Sequence, residues 1–203
     1  MENVDLKIVL LGDKNVGKTC LVTRYIHETF NDEISFKGTI GAAYSSKKVE
    51  CNGLSIVLGI WDTAGCERYE AMTRMFYREA KAAIVCFDVT TAVTFQRAKF
   101  WIRELRAVEE SCKIYICGTK NDLLKPDEVQ FLEMRAINNY ATSVRAKLYI
   151  TSSKTGENIA ELFNVIVQDF VATNPVKETK EVVTLNSPSN HVRNRFRCCS
   201  RQT

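Results

Sequence analysis

Two hydrophobic periods alternate along the chain. Short apolar runs rich in β-formers lie at Leu6–Leu11, Ser55–Trp61, Ala82–Val89, Lys113–Cys117 and Lys147–Thr151, and helical stripes separate most of them. One stripe is Phe95, Ala98, Trp101, Ile102, Leu105 and Val108; another is Ile159, Leu162, Phe163, Ile166, Val167 and Phe170. Both keep the i, i+3, i+4, i+7 spacing of a helix that buries one face, and both read as plain core. Strand alternating with helix implies right-handed crossovers and an α/β fold whose parallel sheet is covered on both faces. Residues 43–50 and 54–61 break that rhythm. They are strand-like and flank Cys51-Asn52-Gly53-Leu54, where Asn-Gly tolerates the positive φ angles of a tight hairpin. One antiparallel strand is therefore predicted in an otherwise parallel six-stranded sheet. Past Phe170 the periodicity stops, Pro175 and Pro188 appear and Thr184–Asn194 is polar. Residues 1–172 read as one domain and 173–203 as a flexible tail.

A chain of 203 residues with 45% hydrophobic content suffices for one buried domain of roughly 150–180 residues plus that tail. No apolar run approaches the roughly 20 residues that span a bilayer. The N-terminus, Met1-Glu2-Asn3-Val4-Asp5, is acidic, unlike a signal peptide, so the cytosolic side of membranes is expected. The net charge is +4, and residues 172–203, with six bases and two acids, carry all of it. A neutral body offers no basic face for nucleic acid, whereas a basic tail suits an anionic membrane surface. Six of the eight cysteines (20, 51, 66, 86, 112 and 117) are scattered singly, with no C-x-x-C pair and only two histidines; they read as free thiols in a reducing compartment. Cys198-Cys199 stand apart as an adjacent pair near the end.

Four segments carry chemistry. Gly12-Asp13-Lys14-Asn15-Val16-Gly17-Lys18-Thr19 fits G-x-x-x-x-G-K-[ST] between a predicted strand and a predicted helix, Cys20–Glu28. Its glycines let backbone N–H groups curl around phosphate oxygens, Lys18 reaches the outer phosphates and Thr19 offers a hydroxyl to Mg²⁺. Trp61-Asp62-Thr63-Ala64-Gly65 ends a hydrophobic strand on an acid, the place for a second, water-mediated Mg²⁺ carboxylate. Thr119-Lys120-Asn121-Asp122 follows another strand. A carboxylate there can accept from guanine N1–H and N2–H₂, a donor pair that adenine lacks on that edge. Thr151-Ser152-Ser153-Lys154 ends the last strand.

Taken together, these segments make residues 5–171 resemble the small GTPases of the Ras superfamily, and within them the Rab family. The Rab likeness rests on Ile40-Gly41-Ala42-Ala43-Tyr44, similar to I-G-V-D-F, on Glu67-Arg68-Tyr69, and on Phe76-Tyr77-Arg78-Glu79-Ala80, similar to Y-Y-R-G-A. The resemblance implies a three-layer P-loop GTPase fold and a GTP/GDP switch of vesicle and membrane traffic. It implies a guanine-nucleotide site built from residues 13–20 (Asp13, Lys14, Asn15, Val16, Gly17, Lys18, Thr19, Cys20), Phe30, Thr39, Gly65, Thr119, Lys120, Asp122, Ser152, Ser153 and Lys154. Thr19 and Thr39 would ligate Mg²⁺ and Asp62 would hold it through water. Lys18, Thr39, Gly65 and the residue at the usual glutamine position, Cys66, would carry hydrolysis. Ile40, Gly41, Tyr44, Trp61 and Tyr77 would form the effector surface, although Tyr44 and Trp61 are equally readable as strand residues half-covered by helices. Thr39 and Gly65 would contact a γ-phosphate present only in GTP, so hydrolysis would release both loops.

Departures from the family pattern carry their own expectations. Cys66 replaces the glutamine that orients the attacking water, and a thiol is a short, poor hydrogen-bond partner; slow intrinsic hydrolysis follows, unless an activating protein supplies the missing groups. Lys14 would either crowd an incoming arginine or add charge near the phosphates. Thr119 replaces an asparagine whose amide ties the guanine loop to the P-loop, so reduced nucleotide affinity is expected while base choice through Asp122 survives. Cys66, Thr119 and Ser153 together resemble a divergent Rab branch of late endocytic and autophagic membranes. Cys198 and Cys199 resemble the dual prenylation signal of Rab proteins, two chains being what stable anchoring requires; a plain thiol pair or palmitoylation are the alternatives. The implied partners are effectors, an exchange factor, a GTPase-activating protein and escort or GDP-dissociation-inhibitor chaperones. A GTP-loaded scaffold with negligible turnover and a P-loop ATPase or kinase are the rival readings.

Overall fold

A computed structural model describes residues 4–31, 38–65, 70–124 and 131–174. Cys66, Glu67-Arg68-Tyr69, Cys198 and Cys199 lie outside the described residues, as does the tail from residue 175.

Six strands form one sheet in the order β2-β3-β1-β4-β5-β6. They are β1 (Leu6–Gly12), β2 (Ala42–Cys51), β3 (Leu54–Thr63), β4 (Ala82–Asp88), β5 (Lys113–Thr119) and β6 (Lys147–Ile150). All neighbours pair in parallel except β2 with β3. The hairpin between those two turns on Asn52 and Gly53, at φ 52° and 76°, as the Asn-Gly pair predicts. Five helices cover the described part of the sheet: α1 (Lys18–His27), α2 (Glu70–Tyr77), α3 (Ala92–Val108), α4 (Phe131–Ser143) and α5 (Ile159–Thr173).

The period of two in β1 distributes its side chains between two cores. Leu6, Ile8 and Leu10 join the α1/α5 side with Leu21, Phe163 and Ile166, whereas Val9 and Leu11 join the α3/α4 side with Phe95, Trp101 and Ile137. Strand β4 is buried along its whole length, as a central strand covered on both faces must be. The edge strand β2 is half-covered and carries Lys47 and Lys48, the kind of charge that discourages edge-to-edge pairing. Both predicted helical stripes face inward, except that Val108 is exposed at the end of α3.

This packing places the chemistry. Helix α1 starts at Lys18, two residues before the sequence pattern places it, because Gly17 in the left-handed region (φ 88°) ends the phosphate loop directly at the helix. Its Tyr25 ring stacks on Phe163 of α5 at 3.6 Å between centroids, so the helix that follows the loop is braced from behind. At the opposite end of the sheet Asp169 accepts from Tyr115 Oη at 2.8 Å and from Lys147 Nζ at 2.7 Å, clamping α5 to β5 and β6. No helix among the described residues is long and apolar enough to cross a membrane.

Phe163→Ala is expected to cost ~3–5 kcal/mol, read as a lower denaturation midpoint at unchanged m. A change below about 1 kcal/mol would contradict the bracing role.

Candidate functional site

Strands β1, β3, β5 and β6 all end at the same edge of the sheet, and the chemistry-bearing segments follow those ends. Register enforces this: Leu10 lies opposite Asp62, Gly12 opposite Cys86, Asp88 opposite Thr119 and Gly118 opposite Ile150. Above the edge opens a cleft of about 270 Å³, lined by Lys14, Asn15, Gly17, Lys18, Thr19, Cys20, Phe30, Thr39, Gly65, Thr119, Lys120, Asp122, Ser153 and Lys154. Most of the predicted nucleotide residues thus meet in one place. Gly38 and Leu123 also line it and carried no sequence signal. Asp13, Val16 and Ser152 stand behind the wall as supports.

At one end Lys18 curls under the loop and donates to the carbonyls of Gly12 (3.0 Å) and Asp13 (2.7 Å). Burial pulls its ammonium below the usual lysine range, opposed by the carboxylates of Asp62 and Asp13. A desolvated cation with backbone N–H groups around it is a receptor for an anion such as a phosphate. Gly65 closes over the loop, and a Cβ there would meet the Asp13 carbonyl and the Lys14 nitrogen at 2.4 Å. Only glycine permits that approach.

Beside Lys18, Thr19 Oγ1 donates to Asp62 Oδ2 at 2.6 Å and lies 2.9 Å from Thr39 Oγ1. Burial raises the Asp62 carboxyl, opposed by the Thr19 bond, the Lys18 charge and the Thr39 bond. Asp62 Oδ1 is buried with no partner among the described residues. Two hydroxyls and a carboxylate with an orphaned oxygen are hard oxygen donors and fit a small divalent cation.

At the far end Asp122 lines the cleft and accepts from Ser152 Oγ at 2.5 Å. Thr119 Oγ1 donates to the Val16 carbonyl at 2.6 Å, with the Phe87 carbonyl sharing the proton at 2.9 Å. Arg24 of α1 donates to the carbonyls of Ser153, at 2.8 Å, and Lys154. It thereby holds the last loop from 129 residues away, a support that no local pattern reveals.

Residues 7–172 match the family model for the Ras family. Over 202 residues the chain is 42% identical to Ras-related protein Rab-24 of Dictyostelium discoideum, covering 97% of this chain and 98% of that one. The chain is a Rab-family small GTPase. It is also 41% identical over 174 residues to Ras-related protein Rab-21 of Mus musculus (85% of this chain, 76% of that one). With GTP-binding protein ypt5 of Schizosaccharomyces pombe it shares 37% over 182 residues (89% and 84%). As a member of this family the Rab binds GTP and GDP, hydrolyses GTP and acts as a regulatory switch in membrane traffic.

The Thr119 hydroxyl links the guanine loop to the phosphate loop through the Val16 carbonyl. One expectation needs correction in this Rab. Tyr77 is not a surface residue. It is fully buried in the α3-side core, while its neighbour Phe76, half-buried beside Trp61 on that same core, and exposed Met75 take the outward positions. Ile40 (82% exposed) and Tyr44 (54%) are outward-facing as expected, and Tyr44 packs on Trp61 at 4.9 Å. Gly41 accepts from the Ala64 N–H at 2.8 Å, joining the segment that carries Thr39 to the one that carries Gly65.

Thr119→Val, which strands the buried Val16 carbonyl, is expected to cost about 1–3 kcal/mol and to speed release of bound GDP, while Thr119→Asn retains both stability and nucleotide. Equal behaviour of the two variants in denaturation and release assays would contradict the tie.

Proposed function

We propose that this GTPase is a Mg²⁺-dependent, lipid-anchored Rab switch with slow intrinsic hydrolysis, acting on late endocytic or autophagic membranes. The observation that carries the reading is the buried Oδ1 of Asp62, without a partner among the described residues, beside the Thr19 and Thr39 hydroxyls. Mg²⁺ would be held by Thr19 and Thr39 with Asp62 behind them. When bound it neutralises charge on the outer phosphates.

The chain's own residues divide the remaining work. Lys18 and the loop amides hold the phosphates, and Asp122 reads guanine, with Phe30 and Lys120 flanking the base and Ser153 facing its far edge. Thr39 and Gly65 sense the γ-phosphate. The Gly41–Ala64 bond couples their two segments, so loss of the γ-phosphate frees both together. Ile40, Tyr44 and Trp61, with Phe76 in place of Tyr77, are the effector face that this coupling presents. Exchange factors, activating proteins and prenyl-binding chaperones are the partners of such a cycle.

At Cys66 the side chain is too short and too weak an acceptor to orient water. Lys14 is exposed at the mouth of the cleft, where it adds positive charge beside the phosphates. Cys198 and Cys199 are the proposed sites of two prenyl chains, aided by the basic residues beside them.

Cys66→Gln is expected to raise single-turnover GTP hydrolysis roughly 10- to 100-fold; an unchanged rate would show that this residue is not the handicap. Replacing both Cys198 and Cys199 with Ser is expected to move the protein expressed in eukaryotic cells from the membrane fraction to the soluble one. Retention on membranes would exclude this anchor.

A further inference from the structure

Asp88 closes β4 at the edge that carries the nucleotide cleft, yet it is in none of the recognised motifs. It is 6% exposed, and both of its oxygens are held. Oδ1 accepts from the Thr90 N–H at 2.9 Å and from Thr90 Oγ1 at 2.6 Å, and Oδ2 lies 2.7 Å from Lys120 Nζ. Its main chain is fixed as well: the Asp88 N–H donates to Thr94 Oγ1 in the first turn of α3 at 3.0 Å, and Val89 N–H donates to the Thr119 carbonyl at 3.1 Å. Burial alone would raise this carboxyl, but the Lys120 and Thr90 hydrogen bonds outweigh it and bring it below the ordinary carboxylate range.

Lys120 is the residue that needs such a partner. It sits at φ 65°, in the left-handed region, which costs a non-glycine residue on the order of 1 kcal/mol. Its four-carbon stem has several rotatable bonds and would otherwise sample many rotamers. The ammonium is drawn to Asp88 at the strand end, so the stem between the two fixed ends becomes a wall of the cleft. Neighbouring Thr119 is tied to the phosphate loop, and Lys120 is tied to β4. The guanine segment is therefore anchored at two successive residues, to the phosphate loop and to the end of β4.

We propose that Asp88 is a positioning residue for the guanine nucleotide: by tethering the ammonium of Lys120 it fixes the lysine's stem and left-handed backbone against the base and slows nucleotide release. This rests on the reading of Lys120 as a residue flanking the base. A residue that merely ended β4 or started α3 would need only its carboxylate's contacts with Thr90 and its main chain's contacts with Thr94. The charge pair with Lys120 is the feature that such a role leaves unexplained, and a charge-assisted bond at 2.7 Å in a mostly buried setting has the strength to matter.

The test is release of fluorescently labelled GDP from the full chain into excess unlabelled GDP, for Asp88→Asn, Lys120→Met and the double variant. Asp88→Asn keeps the size and the Thr90 contacts but removes the charge. It is expected to speed release roughly 5- to 20-fold, Lys120→Met at least as much, and the double variant no further than Lys120→Met alone. Effects that add in full would mean that Asp88 acts through the fold and not through Lys120, and would overturn the proposal. An unchanged rate in Asp88→Asn with a faster one in Lys120→Met would overturn it while leaving the site reading intact. A wild-type rate in Lys120→Met would remove Lys120 from the base and the proposal with it. Should Asp88→Asn fail to fold, Thr90→Val, which removes one bond orienting the carboxylate, is expected to give a smaller acceleration that vanishes in the Lys120→Met background. No acceleration, or one that persists there, would again overturn it.

Discussion

Parallel pairing of β1 with β3 on one side and β4 on the other is the constraint from which the site follows. Buried on both faces, β1 reaches solvent only at its ends, and at the carboxyl end it delivers Gly12 and the loop. Its neighbours in register deliver Asp62 and Asp88 to the same edge, and β5, paired with β4, delivers Thr119. The order of strands reverses around β1, where open α/β sheets leave a crevice for ligands. The nucleotide cleft is thus a product of topology before any polar residue is chosen.

Polar residues then lock the loops to one another. Lys18 holds the phosphate loop from below, Thr119 ties it to the guanine loop, Ser152 holds Asp122 and Arg24 holds the carbonyls beyond it. Most of these are hydrogen bonds to backbone carbonyls, which fix main-chain position without depending on a second side chain. Such a cleft is preorganised, and association with a ligand then spends less free energy on ordering. At this edge Asp62 Oδ1, beside two threonine hydroxyls, is left short of a partner among the described residues, the place that a cation would complete.

Much of this was legible from the sequence, for physical reasons. Glycines at fixed offsets before a helix, an acid ending an apolar run and an Asn-Gly hairpin are local signals with local causes, and each led to the right edge of the right strand. Asp88 and Arg24 were not legible because their partners, Lys120 and the 153–154 carbonyls, are distant in the chain and their own neighbourhoods are ordinary. Tyr77 failed for another reason. It and Phe76 are adjacent aromatics in the last turn of α2, and about 100° of helical rotation decides which one points inward. The bond from the Thr119 hydroxyl to the Val16 carbonyl was illegible for the same reason as Arg24, its partner lying far back in the chain.

On the proposed reading, this edge of the sheet binds a guanine nucleotide through Asp122 and the loop around Lys18. The most direct measurement is to denature freshly purified protein and identify what it releases by ion-exchange chromatography. Guanine nucleotide in near-stoichiometric amount is the predicted result, with the share of GTP reporting how slowly Cys66 lets it turn over. Adenine nucleotide, or none at all together with no uptake of added GDP, would contradict it.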